Sequence, residues 1–345
     1  MTQETHSFMR LSVLGLFLLI SLVLALFIGA YQAPLSSVFN ALILHPEADS
    51  SLKFLVWSIR VPRVLLAGCV GAGLATAGAA IQGLFRNPLA DPTLIGINSG
   101  AMLFAALSIL FMGTFVGAIS GFWYQASISV FAFVGGVLTS YLVYQLAREG
   151  GRTLVMKMLL AGIAISAFAA ALTGLCIYVS DDQQMRDLTF WTLGSFNNAS
   201  WDKLGIALPV TVVGIVFLQP MAKALNSIML GEREAVFLGI HVERVKTRVI
   251  FLSAMMIGIC IAFSGIIGFV GLMIPHLIRI LRGSDYQILL RASALLGASF
   301  MIWADLLSRT IIAPAELPVG ILTAMTGAPF FLWILMRSQR ERIAI

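Results

Sequence analysis

The chain has 345 residues, of which 59% are hydrophobic and only 11% charged. A soluble domain of this length needs far more charge to cover its surface, so a soluble enzyme or soluble binding protein is excluded. The net charge of +6 is then a matter of membrane topology rather than of nucleic acid, which is not expected as a partner.

Apolar runs long enough to cross a bilayer recur from end to end. Ten spans are predicted near residues 11–30, 63–83, 93–112, 125–146, 157–179, 204–222, 248–264, 267–281, 289–308 and 318–336. The first run lacks a small-residue cleavage site and reads as a retained span. The pair 248–281 turns at Ser264-Gly265, an apolar and tight connection. The expectation is an all-α polytopic membrane protein, a single permease-like domain over residues 1–345. Cys69, Cys176 and Cys260 lie inside apolar runs as small buried hydrophobes, and the four histidines are too scattered for a metal site.

With the N-terminus placed inside, 16 of the 22 Lys and Arg residues fall on inner segments and 6 on outer ones, while the acids divide evenly. This asymmetry puts both termini in the cytoplasm. Gly71, Ala75, Gly78 and Pro88 recur as Gly258, Ala262, Gly265 and Pro275, at a constant offset of 187 residues. The topology inverts the second copy, and inverted duplication is a mark of transporters. The first repeat is expected near 60–180 and the second near 247–336. Asn87-Pro88 and Pro275-His276 are expected to break their helices.

No phosphate-binding loop G-x-x-x-x-G-K-[ST] is present, and no Ser/His/Asp or Cys/His arrangement stands out. Enzyme activity is not expected. Asp305 and Glu316 are the only acids near a span's interior. Local pairing with Arg309, four residues from Asp305, is favoured over a proton relay. The longest inner loop, 223–248, contains Gly231-Glu232-Arg233-Glu234-Ala235-Val236-Phe237-Leu238-Gly239-Ile240. Two glycines bracket acids followed by apolar residues, which predicts a short helix. Ala235, Val236 and Leu238 would give it an apolar face for a partner's groove. On the outer side, Arg60 and Arg63 run against the charge trend and suit either anchoring to lipid headgroups or an acidic patch on an external partner. The aromatics of residues 186–196 belong to the interface belt or to the mouth of a pathway.

Taken together, these segments resemble the permease subunits of binding-protein-dependent ABC importers for iron-siderophores, haem and cobalamin, the FecCD family. The resemblance rests on Ile59-Arg60-Val61-Pro62-Arg63, Asn87-Pro88-Leu89-Ala90-Asp91-Pro92, Gly231-Glu232 with Leu238-Gly239, Gly268 through His276, Ser293 through Ala298, Glu316 through Ile321, and Gly327-Ala328-Pro329-Phe330-Phe331. It covers residues 57 to 336. It implies a type II importer permease of ten spans in the bacterial inner membrane, working as a homodimer. Two ATPase subunits would bind the cytoplasmic face and a periplasmic binding protein the outer face. ATP and Mg would reside on the ATPases, and no cofactor on this chain. It also implies that Gly231, Glu232, Ala235, Val236, Leu238, Gly239 and Ile240 form the coupling helix, that Arg60 and Arg63, with Arg309, hold the binding protein, and that His276 is structural. Asp285-Tyr286-Gln287 departs from the family's Asp-His-Arg, and Arg291 from its Pro. Both lie at the cytoplasmic edge, where ATPase contact is at stake.

The tract Arg186–Trp201 looks more like haem permeases than siderophore permeases, and cobalamin permeases tend to have Gly where Ser195 stands. Haem is therefore the first expectation, a ferric siderophore the second and cobalamin the third. An ion-coupled secondary transporter and a membrane scaffold are the rivals of other classes. Scarce membrane acids argue against the first; the docking loop and duplicated core argue against the second.

Overall fold

The computed structural model describes residues 2–29, 31, 33–46, 49–115 and 122–343. Lipid offers no hydrogen bonds, so an apolar chain must satisfy its own backbone, and long helices result. In chain order they are α1 (Thr2–Phe27), α2 (Leu35–Leu42), α3 (Ser50–Phe54), α4 (Val61–Leu84), α5 (Ile97–Phe115), α6 (Phe122–Leu146), α7 (Val155–Val179), α8 (Asp182–Leu193), α9 (Trp201–Leu218), α10 (Ala222–Leu230), α11 (Glu232–Phe237), α12 (Val242–Ser264), α13 (Val270–Arg282), α14 (Tyr286–Ser308) and α15 (Val319–Ile343). A hairpin of β1 (Arg148–Glu149) and β2 (Arg152–Thr153) joins α6 to α7. Each of the ten predicted spans coincides with one of these helices. Among the described residues, six segments are by themselves long and apolar enough to cross a membrane.

The helices are not equivalent. The span containing α4 is 89% buried, whereas that of α7 is 22% buried. The first is the post around which the others stand, and the second belongs to the periphery. Contacts with α1, α9, α12, α13 and α14 enclose α4. Close approach is possible because small residues line it. A Cβ on Gly78 would run into the carbonyl of Gly271 on α13, so any larger residue there would push the two helices apart.

The break in the second half is not at Pro275. Helix α12 ends at Ser264, five irregular residues follow, and α13 begins at Val270. With thirteen residues α13 is about 20 Å long, too short to cross a bilayer alone. Pro275 lies inside it. A proline cannot donate to the carbonyl four residues back, that of Gly271. The side-chain amide of Gln82 on α4 donates to that orphaned carbonyl at 3.3 Å and to Leu272 O at 3.4 Å. Arg279 in turn donates to the Gln82 side-chain oxygen. The expected break at Pro275-His276 is thus repaired from a neighbouring helix. His276 continues the same helix beside the rings of Phe330 and Phe331. Asn87-Pro88, by contrast, does lie in a turn past the end of α4, where the Asn87 side chain accepts from Leu89 N at 2.9 Å.

Candidate functional site

Side chains cluster at the two ends of the bundle. Arg148, Lys246 and Arg279 gather at one end, called here the basic face; Arg63 lies at the opposite face.

At the opposite face, Pro62 has no N–H for the carbonyl of Ser58. The backbone widens into a π-helical turn over Leu55–Arg60, with Val61 N bonding Val56 O. This turn presents Arg60 and Arg63 to the interior, and both are buried. Arg63 forks across two carboxylates. Its Nε donates to Asp305 at 2.9 Å and its two terminal nitrogens to Glu316 at 2.9 Å each. Arg60 donates to the carbonyls of Leu26, Phe27 and Tyr31 at 2.7–3.3 Å. Arg309, also buried, donates to Ala25 O at 2.6 Å and stands 3.5 Å from Asp305. Two arginines therefore cap the carbonyl end of α1, where unpaired acceptors and the helix dipole both favour cations. Burial lowers the pKa of Arg309 to about 10; the Asp305 charge opposes the fall, and Arg63 and Arg60 add to it. It remains a cation at neutral pH.

The three arginines expected to hold the binding protein are thus buried, and they clasp α1, α4 and α14 together. Asp305 does meet Arg309, but its nearer partner is Arg63, 242 residues away.

Beside this clasp opens a cavity of about 700 Å³, lined by Tyr124, Phe190, Trp191, Ser195, Lys203 and Glu316 among others. Of the tract 186–196, Asp187, Phe190, Trp191 and Ser195 line this cavity. Glu316 belongs both to the cavity wall and to the Arg63 fork. Three chain breaks meet beside the cavity through their main chains. Ser195 N donates to Ser264 O at 2.8 Å, and Val319 N to Gly194 O at 2.9 Å. Gly265 has φ +71 and ψ −166, a region open essentially to glycine alone. A Cβ there would also strike the carbonyl of Trp191.

At the basic face, the loop between α10 and α12 contains the expected short helix, α11. Glycine stops it: Gly239 has φ +81, Gly239 N bonds Val236 O and Ile240 N bonds Ala235 O, the paired bonds of a Schellman ending. The predicted contact face needs one correction. Ala235 is fully buried against the chain, while Val236 and Leu238 are exposed and Phe237 is 89% exposed. The outward apolar surface therefore centres on Phe237.

One residue here escaped the sequence reading. Lys246 on α12 is buried, and its ammonium donates to Glu232 at 2.7 Å, to Thr153 O at 2.9 Å and to Glu243 at 3.1 Å. Glu243 also accepts from Thr153 N at 2.8 Å. All three donors of Lys246 are filled, and this clamp ties α11, the β-hairpin and α12 together. Tyr286, in the stretch that departs from the family pattern, is buried, with its hydroxyl accepting from Arg279 at 3.0 Å.

A model described as the FecCD transport family matches residues 17–337. The chain belongs to the FecCD transport family. This FecCD chain is 42% identical to the hemin transport system permease protein HmuU of Yersinia pestis, over 94% of this chain and 96% of that protein. It is 35% identical to the cobalamin import system permease protein BtuC of Halobacterium salinarum, over 89% and 80%. Its fold superposes on a solved metal-chelate type ABC transporter in an inward-facing conformation with a TM-score of 0.83, at 34% identity and covering 95% and 99% of the two chains. It is a multi-pass ABC importer permease.

Proposed function

We propose that this permease moves haem across the bacterial inner membrane into the cytoplasm, with the basic face and both termini in the cytoplasm. The observation that carries the reading is the 42% identity to a hemin permease along nearly the whole of both chains. The cavity supports it: about 700 Å³ is within the range of small-molecule sites, and Phe190 and Trp191 offer flat apolar walls to a macrocycle. A second copy of the chain, two ATPase subunits and an external binding protein complete the machine. The inverted duplication of residues 60–180 and 247–336 supplies two bodies that rock against each other.

The work is divided by geometry. Phe237, with Val236 and Leu238, seats in the ATPase. Lys246 passes the movement of α11 to α12 and the hairpin, and α12 ends at the glycine node beneath the cavity. Displacement at the basic face thereby reaches the mouth through one 23-residue helix, about 34 Å long. The free energy comes from ATP on the partner chains.

Uptake in proteoliposomes holding the permease with its ATPase, supplied with haem-loaded binding protein, tests this. ATP-dependent haem uptake that a ferric siderophore cannot replace is the expected result. ATP hydrolysis with uptake of a siderophore or cobalamin instead of haem overturns the substrate and leaves the importer standing.

A further inference from the structure

Away from the clasp and the clamp, a groove of about 470 Å³ runs between α6 and α12. Its walls are apolar side chains, among them Phe133, Val137, Ile250 and Ala254, and its end at the basic face is closed by Tyr144 and Thr247. These two hydroxyls bond each other at 2.8 Å. From Phe133 to Tyr144 the groove follows α6 for about 16 Å. That is the depth of one leaflet, half of a hydrocarbon core of about 30 Å.

The polar end carries spare positive charge. The Arg148 guanidinium lies 5.7 Å from the centre of the Tyr144 ring. Arg244, exposed on the first turn of α12, shares a helix face with Thr247 three residues on. The neighbouring acids are already engaged: Glu149 pairs with Lys157, and Glu243 with Lys246. Among the described residues, neither Arg148 nor Arg244 forms an ion pair. An apolar slot one leaflet deep, with tyrosine and uncompensated arginine at its headgroup end, matches one amphiphile in length, polarity and charge.

We propose that the α6–α12 groove binds one acyl chain of an anionic phospholipid from the leaflet on the basic face, with Arg148 and Arg244 holding its phosphate headgroup. The site lies on α12 directly beside Lys246, so an occupied groove braces the helix that leaves the clamp. The inference requires only that the chain spans a membrane and is independent of the transported substrate.

Native mass spectrometry of the purified full-length chain tests it, with phosphatidylglycerol and phosphatidylcholine of matched chains added in equal amounts. The wild type is expected to retain phosphatidylglycerol preferentially, by about fivefold for each arginine. R148Q/R244Q, two exposed changes, is expected to bring that preference close to one, and Val137→Trp to fill the slot and reduce binding of both lipids. Equal retention of the two lipids by the wild type overturns the proposal. So does a preference that survives R148Q/R244Q, or retention that Val137→Trp leaves intact.

Discussion

At the opposite face Arg63 meets two carboxylates, and Asp305 among them is sealed from solvent. At the basic face Lys246 also meets two carboxylates, but these are 40% and 36% exposed. Both cations are buried, yet the penalties for breaking the two clusters differ. Losing Arg63 would leave the buried Asp305 with only the more distant Arg309 as a cation, whereas Glu232 and Glu243 can turn to solvent when Lys246 lets go. The first cluster is therefore a fixed clasp. The second holds α11 in place but releases it at modest cost, which suits the coupling role proposed for α11.

Breaking the clasp should have the largest effect on stability. Arg63→Ala leaves Asp305 with Arg309 as its remaining cation at 3.5 Å and should cost about 3–5 kcal/mol, read as a drop in the unfolding midpoint in detergent. Arg63→Lys keeps the charge but not the two-carboxylate fork, and should fall between that variant and the wild type. Next comes the glycine node. Gly265→Ala forces a side chain into a glycine-only conformation and should cost about 1–3 kcal/mol from backbone strain; a midpoint unchanged from wild type would show that the node yields.

Lys246→Met sharpens the contrast between the two ends. With acids free to hydrate, its stability cost should stay near 1 kcal/mol, while uptake per ATP hydrolysed drops severalfold. A loss of stability as large as that of Arg63→Ala would erase the distinction between clasp and clamp. Smallest in stability is Phe237→Ser, an exposed change expected within about 0.5 kcal/mol of wild type. Its effect should appear only in ATPase association, weakened about tenfold or more. Unaltered association would remove α11 from the interface.

The ten helices were legible because membrane crossing imposes length and polarity on each run separately. What each helix faces was much less legible, since lipid-facing and core-facing residues are equally apolar. Pro275 read as a break because the compensating amide of Gln82 comes from another helix. Ala235 and Phe237 exchanged places because six residues are too few to fix a helical face from periodicity. The arginines read as surface groups because their partners lie in distant sequence. Depth offered a usable signal: Arg60, Arg63, Asp305 and Glu316 all fall at the same end of their spans, and unpaired charges at one depth seek each other. Lys246 carried no such mark, being one of several basic residues in a short stretch.

The chain breaks beside the cavity are joined by main-chain atoms of Ser195, Gly194, Ser264 and Val319, while residues such as Phe190, Trp191 and Lys203 line its walls. The joints are thus made by main-chain atoms, which side-chain substitution along the walls leaves in place. On the proposed haem pathway, substitution along the walls would retune cargo preference without disturbing the joints that hold the helices, so one permease frame would be open to new molecules in few mutational steps.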